Sequence, residues 1–223
     1  MNLNLENLVQ EAHEDVTRHF DALAPALEGV LKGAVVSGAA VTGPYVSRRT
    51  ALDLALIVEV PPGELMTALA DAFKSLAKKG FAPPLVLSQQ ELTTSLDVFP
   101  MEFLAMKQTG TVVAGEFDLD GIPIEKQHLR LQVERELRGL VLHCRMAYLS
   151  HATNEAALGR LVASGAGRLG SIFGATAYVL GTADDVPADL VALVTEKRPR
   201  LSGNRLLELA ASLDTLVEQI DTH

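Results

Sequence analysis

The chain has 223 residues, of which 48% are hydrophobic, and this is enough for one large domain or two small ones with buried cores. Its formal net charge of -9 argues against binding of nucleic acid without sequence preference. That kind of binding depends on Lys and Arg side chains that displace the counterions of phosphates. A small anionic ligand would therefore need a locally built site.

Cysteine content and hydropathy predict a soluble, cytoplasmic protein. The single cysteine, Cys144, cannot form an internal disulfide and has no neighbours at zinc-ligand spacing. Residues 1–14 lack a basic start followed by an apolar run, so no signal peptide is predicted. The weakly polar stretch 156–181 is interrupted by Arg160 and Arg168 and is rich in glycine, so no membrane span is predicted.

The first half of the chain predicts strands and helices in alternation. Residues 5–31 have helical spacing of apolar side chains, and Pro25 predicts a break into one helix and a second short one. Residues 34–41 and 52–60 are rich in Val, Ile and Leu and predict two adjacent antiparallel strands. Residues 64–79 predict a helix that packs on the sheet.

Three shorter elements are predicted next. Residues 85–87 predict a short strand, and 89–96 a helical turn. Residues 98–106 predict a further strand, which Pro100 would place at an edge or a bulge because proline cannot donate a ladder hydrogen bond.

After residue 122 the pattern becomes helical. The predicted fold class is α+β, with a mixed sheet and flanking helices in a first domain, 1–122, and an α-helical bundle in a second, 123–223. The predicted helices of the bundle are 126–149, 154–180, 187–197 and 203–220.

The chemistry-bearing part of the chain is the strand that contains Asp53. Two carboxylates at positions i and i+2 of a strand point to the same face, where they can hold a divalent metal against the phosphates of a nucleotide. A third carboxylate can complete the site or act as a base. Here Asp53 has alanines at both of these positions, Ala51 and Ala55.

The glycine turn and this strand resemble the nucleotidyltransferase superfamily related to DNA polymerase β, in the small-domain branch with the antibiotic nucleotidyltransferases. The resemblance implies that Gly43 is the turn glycine, Asp53 the second aspartate and Glu102 the third acid, with Asp97 as the alternative. It implies Mg²⁺ held by Asp53 and Glu102, a nucleoside triphosphate as ligand, and a helical second domain. Ser47 and Arg48, with Arg49, would bind phosphate by charge-assisted hydrogen bonds.

The chain departs from this family's motif at two positions. Ala51 stands where the first metal ligand belongs, and Pro44 where a serine belongs. An alternative register, which begins the turn at Gly38 and Ala39 and has Gly43 as its second glycine, also lacks the serine. Loss of a carboxylate that bridges two metals predicts chemistry slower by at least ~10²-fold.

The leading prediction is a protein of nucleotidyltransferase type with weakened or lost catalysis, which binds a nucleotide or a partner in the cleft between the domains. The alternative is an active magnesium-dependent enzyme that moves a nucleoside monophosphate onto a small molecule or a protein. The third is a structural module, in which Asp53 and Glu102 are ordinary strand acids, Gly43 only supplies positive φ and the basic loop is only solvated.

Two features of the helical half add predictions. Arg138 and His143 have the Arg-x4-His spacing of nucleases of the HEPN type, against the alternative of an exposed arginine and a histidine beside the core. The many small residues of helix 154–180 predict either close helix packing, within the bundle or across a homodimer, or a break near 165–170.

Overall fold

The computed structural model describes residues 2–60, 62–181, 186–195 and 200–222. It divides into two compact units. The first, here called the sheet unit, comprises Met1–Leu96 and Glu102–Pro123. The second, the helical unit, comprises Asp97–Met101 and Ile124–His223. No helix in the described part of the chain has the length and hydropathy needed to cross a bilayer.

The sheet unit alternates helices and strands. In chain order its elements are α1 (Gln10–Leu27), β1 (Leu31–Ser37), α2 (Ala39–Thr42), β2 (Asp53–Val58), α3 (Pro62–Ala77), β3 (Leu85–Ser88), α4 (Gln89–Thr94), α5 (Pro100–Thr109, whose first two residues group with the helical unit) and β4 (Thr111–Gly115).

These strands form one mixed sheet of order β3-β2-β1-β4. β1 is antiparallel to both β2 and β4, whereas β2 is parallel to β3. The register of β1 and β2 places Ser37 opposite Asp53. The predicted adjacency and antiparallel direction of the first two strands are therefore confirmed.

Helix α1 covers one face of the sheet, together with α3. Its apolar stripe of Val16, Phe20, Leu23 and Leu27 is buried in the same core as the alternate side chains of β1 and β2. The predicted break at Pro25 is wrong, because α1 continues to Leu27. Proline so close to the C-terminal end of a helix removes only one backbone hydrogen bond.

Two strand predictions need correction. Residues 39–41 are helical, because Gly38, with φ of 66°, turns the chain directly after β1. Residues 98–106 are not a strand: α5 begins at Pro100, and proline is well suited to the first turn of a helix, where its missing N–H needs no partner. The strand beside β1 is instead β4, which starts two residues after α5 ends.

The helical unit contains α6 (Lys126–His151), α7 (Glu155–Leu180), α8 (Ala188–Thr195) and α9 (Gly203–Thr222). α6 packs against α9 and α7, and buries Leu129, Val133 and Leu137. The predicted residues 196–197 of the third helix lie outside the described residues.

Helix α7 runs unbroken from its Asn154 cap to a left-handed Gly181, so the break expected near 165–170 is absent. Three of its glycines are also not in close contact with other parts of the unit. A Cβ built on Gly165, Gly167 or Gly174 would meet no atom within 4 Å. The close packing predicted within the bundle is therefore wrong at these three positions, and the homodimer stays a prediction.

Candidate functional site

The carboxylate of Asp53 lies against the glycine turn that follows β1. A Cβ built on Gly38 would be 2.5 Å from Oδ2 of Asp53, which no real side chain tolerates without movement. Gly38 also has positive φ, a conformation that favours glycine, and a Cβ here would require the carboxylate of Asp53 to move. The structure thus brings Asp53 together with the glycine of the alternative register.

Gly43 has a different position, at the C-terminal end of α2. Its φ is 67° and its N–H donates to the carbonyl of Ala39. A Cβ there would meet only Val9, at 3.8 Å. Its positive φ therefore terminates the short helix, and its predicted role at a nucleotide stays a prediction.

The end of α5 contacts the same turn. The N–H of Gly38 donates to the hydroxyl of Thr109 at 3.1 Å, and that hydroxyl donates to the carbonyl of Ala105 at 2.8 Å. Thr109 was not identified from the sequence, because its role depends on α5, which the apolar pattern had predicted as a strand.

Asp53 stands at the start of β2, and as a residue it is exposed. Partial burial of its carboxyl group nevertheless raises its pKa above the ordinary value. The nearby phenol of Tyr45 also has a raised pKa, first because of burial, then because of its hydrogen bond to Asp15 and the charges of Asp15 and Asp53. A cation that bound here would therefore pair with a carboxylate that is only partly solvated.

The sheet offers Asp53 no acidic neighbour. Ala51 and Ala55 occupy the positions two residues away, and neither β1 nor β3 contains an acid. Across the ranges that the structure describes, no three His, Cys, Asp or Glu side chains are grouped so as to hold a metal ion. The strands of this sheet thus place a single carboxylate, that of Asp53, beside the turn.

The predicted third acid does not lie on a strand. Glu102 is in the first turn of α5 and is exposed. It precedes Thr109 by seven residues, or roughly 10 Å along the helix axis. The alternative, Asp97, lies in the turn before α5, in the segment that groups with the helical unit. Metal binding by Glu102 or Asp97 stays a prediction.

The basic loop borders a small cavity of about 250 Å³. Arg48, in the left-handed region with φ of 62°, lines it together with Arg49 and Ala51, opposite Gly80–Ala82. Two arginines and no acidic residue are among its lining residues, so its composition suits an anion. Ser47 is exposed but is not among the lining residues.

A buried hydrogen bond connects the start of this loop to α1. The hydroxyl of Tyr45 donates to Oδ2 of Asp15 at 3.0 Å, while Oδ1 of Asp15 has no hydrogen-bond partner among the described residues. His19, fully buried, faces the carbonyls of Asp15 at 2.8 Å and Ala82 at 3.4 Å. The sequence signal for these residues was two polar side chains, at i and i+4, on the apolar stripe of α1.

The predicted Arg138 and His143 pair is divided between two surroundings. Arg138 forms ion pairs with Glu134 at 2.8 Å and with Asp221 at 3.1 Å. His143 lines a cavity of the helical unit. Arg138 is therefore engaged in a surface ion-pair network, which matches the alternative reading of an exposed arginine.

No family model matches the chain, and no curated protein matches it. A solved structure that resembles it is spectinomycin adenyltransferase AAD(9) from Enterococcus faecialis, crystallised with ATP and spectinomycin. The TM-score is 0.50 and the sequence identity 11%, over 94% of this chain and 99% of the other. At this identity the likeness shows the fold: a nucleotidyltransferase-like mixed sheet with flanking helices, followed by a helical region.

Proposed function

We propose that this protein binds a nucleotide, or a partner, through the sheet unit and transfers nucleotides weakly or not at all. The observation that carries the proposal is the contact between Gly38 and Asp53. The turn glycine and one strand carboxylate adjoin each other, while the position two residues before Asp53 is Ala51.

The chemistry of nucleotide transfer explains why one carboxylate is too few. Transfer through two metal ions needs carboxylates that bridge the ions and fix them between the attacking and leaving oxygens. Asp53 alone can attract a hydrated Mg²⁺, which commonly keeps several waters, but one ligand does not fix its geometry. Binding therefore has more support than catalysis.

Phosphate recognition has a second source in the cavity bordered by Arg48 and Arg49. Guanidinium groups bind phosphate oxygens through paired, charge-assisted hydrogen bonds, which need no metal. In a chain of net charge -9, a cavity lined by two arginines and no acid is a local exception. This supports nucleotide binding that persists without Mg²⁺.

The second candidate is an active magnesium-dependent nucleotidyltransferase that uses Asp53 and Glu102. Two observations favour it: both residues are exposed, and the similar fold belongs to an adenyltransferase crystallised with ATP. Under this candidate, stabilisation by a nucleotide requires the metal, and Glu102→Gln abolishes transfer.

Thermal unfolding with ATP, GTP, CTP and UTP, each with and without Mg²⁺, separates the candidates. A nucleotide at a hundred times its Kd stabilises the folded state by about 2.7 kcal/mol. We expect stabilisation without metal that is lost in Arg48→Gln/Arg49→Gln. The absence of stabilisation by any nucleotide, with and without metal, contradicts nucleotide binding and leaves partner binding or the structural module.

Restoring the missing acid gives a sharper test. Ala51→Asp places a second carboxylate two residues before Asp53, just ahead of β2, and Ala51→Asn is the control of equal size without the charge. We expect only Ala51→Asp to gain Mg²⁺-dependent stabilisation by a nucleotide. If wild-type protein transfers labelled nucleoside monophosphate as fast as Ala51→Asp, the proposed loss of catalysis is wrong.

A further inference from the structure

The helical unit contains a cavity of about 370 Å³ among α6, α7, α8 and α9. Its floor is apolar and buried, and includes Phe173, Leu190, Leu206, Leu209 and Leu213. This volume lies within the range of roughly 300–1,000 Å³ that is typical of small-molecule sites in proteins. All of the lining residues belong to the helical unit, so the cavity is separate from Asp53 and the basic loop.

The polar side chains of this cavity are exposed, and each of them can donate a hydrogen bond. His143, Ser150 and His151 are exposed residues of α6, and Arg168 of α7 lines the cavity while it pairs with Glu136. No Asp or Glu is among the lining residues, although the chain has 28 acids against 19 Lys and Arg. The rim can therefore donate hydrogen bonds to an acceptor, and no acidic side chain in its lining would repel an anion.

Flexible apolar side chains also stand at the opening. Met146 is 63% exposed and Leu161 is 53% exposed, and both line the cavity. Apolar side chains that remain this exposed next to a hydrophobic floor gain burial when an apolar group enters. Methionine is also adaptable in shape, which suits a flexible occupant.

We propose that the helical unit is a binding site for a small amphiphile with an aliphatic tail and a carboxylate head. The tail occupies the floor formed by α7, α8 and α9. The head accepts hydrogen bonds at the rim, from the side chains of His143, Ser150 and His151. This site is independent of the nucleotide site proposed for the sheet unit.

The chain offers a reporter inside the cavity. Cys144, its single cysteine, is half-buried and lines the cavity. An occupant that covers the thiol slows alkylation of Cys144, by about tenfold when the ligand is at ten times its Kd. Titration calorimetry then measures the binding and the alkylation rate locates it.

The probes are decanoate, decanol and decyltrimethylammonium, each below its micellar concentration and applied to the full chain. We expect decanoate to bind and to protect Cys144, decanol to bind more weakly, and the cation to bind least. Equal binding of all three, or the absence of both heat and Cys144 protection with every probe, overturns the proposal. Protection of Cys144 that rises with protein concentration in the absence of any probe also overturns it, in favour of a second copy of the chain.

Two variants of one helix test the location of the site. Gly165 lines the cavity and Gly174 does not, yet a Cβ at either would meet no atom within 4 Å. Gly165→Leu should reduce decanoate affinity at least tenfold, whereas Gly174→Leu should leave it unchanged. Equal affinities of the two variants contradict binding in this cavity.

A change at the rim tests the assignment of the head group. His143→Ala/His151→Ala should weaken decanoate severalfold while leaving decanol unchanged. If this variant weakens both probes equally, the rim does not recognise the carboxylate and that part of the proposal fails.

Discussion

Oδ2 of Asp53 lies only 2.5 Å from the point where a side chain on Gly38 would begin. The strand carboxylate and the turn glycine are thus fitted to each other, across the antiparallel pair that joins β1 to β2. A substitution of Gly38 or of Asp53 should therefore change the stability of the protein in a specific way.

Gly38→Ala should lower the free energy of unfolding by about 1–3 kcal/mol, because alanine is strained at positive φ and its Cβ displaces the carboxylate. Urea denaturation measures the change. The same substitution in an Asp53→Ala background should cost less, since only the backbone strain remains. An equal cost in both backgrounds would show that the two groups do not touch.

Asp53→Asn should stabilise the protein at neutral pH. Burial raises the pKa of Asp53 in the folded state, so between the ordinary value of about 3.9 and the folded value the native state binds more protons than the unfolded state. Stability contributed by this group therefore falls as the pH rises through that window, and the loss persists at neutral pH.

Thermal unfolding as a function of pH checks this sign. The Tm of Asp53→Asn should exceed that of the wild type at pH 7, and the difference should vanish in acid below the ordinary pKa. A lower Tm for Asp53→Asn at pH 7 would mean that the ionised carboxylate has a stabilising partner.

The glycines of α7 give a prediction of the opposite kind. Gly165→Ala, Gly167→Ala and Gly174→Ala should each stabilise the protein by up to ~1 kcal/mol, since alanine has the higher helix propensity and the space around each Cβ is open. Gly181→Ala is the matched control. Its space is also open but its φ is 95°, so this variant should be destabilised, by about 1–2 kcal/mol. Urea denaturation of the four variants measures these changes in the free energy of unfolding.

Tyr45→Phe should destabilise the sheet unit by about 1–3 kcal/mol, because it leaves both oxygens of the buried Asp15 carboxyl without a hydrogen-bond partner among the described residues. Tyr178→Phe, at an exposed tyrosine of α7, is the control and should have little effect. Replacing both groups, in Tyr45→Phe/Asp15→Leu, should recover part of the loss. If the double variant loses more free energy of unfolding than the two single variants lose together, this account is wrong.

Long periodic segments could be predicted from the sequence. α3, α6 and α9 each have a sustained apolar stripe, and β1 and β2 are runs of Val, Ile and Leu bounded by turns. The likeness to a nucleotidyltransferase fold also followed from residues that are close in sequence, namely the glycine turn and the strand that contains Asp53.

Short apolar segments could not be assigned in the same way. Residues 98–106 alternate too irregularly to distinguish a buried helix from a strand, and Pro100 fits both an edge strand and a helix start. β4 is five residues long and is stabilised by its pairing with β1, a contact distant in sequence. The choice between Gly38 and Gly43 likewise depended on where β1 ends, which only the pairing with β2 determines.

The hydroxyl of Thr109 already occupies the amide of Gly38. A phosphate that bound this amide would therefore have to displace the hydroxyl of Thr109. Its gain in free energy would be the difference between the two hydrogen bonds and not the full value of one. Thr109→Val would leave the amide of Gly38 without this acceptor and would strengthen the binding of any anion there. The last turn of α5 would thus compete with any anion for the amide of Gly38.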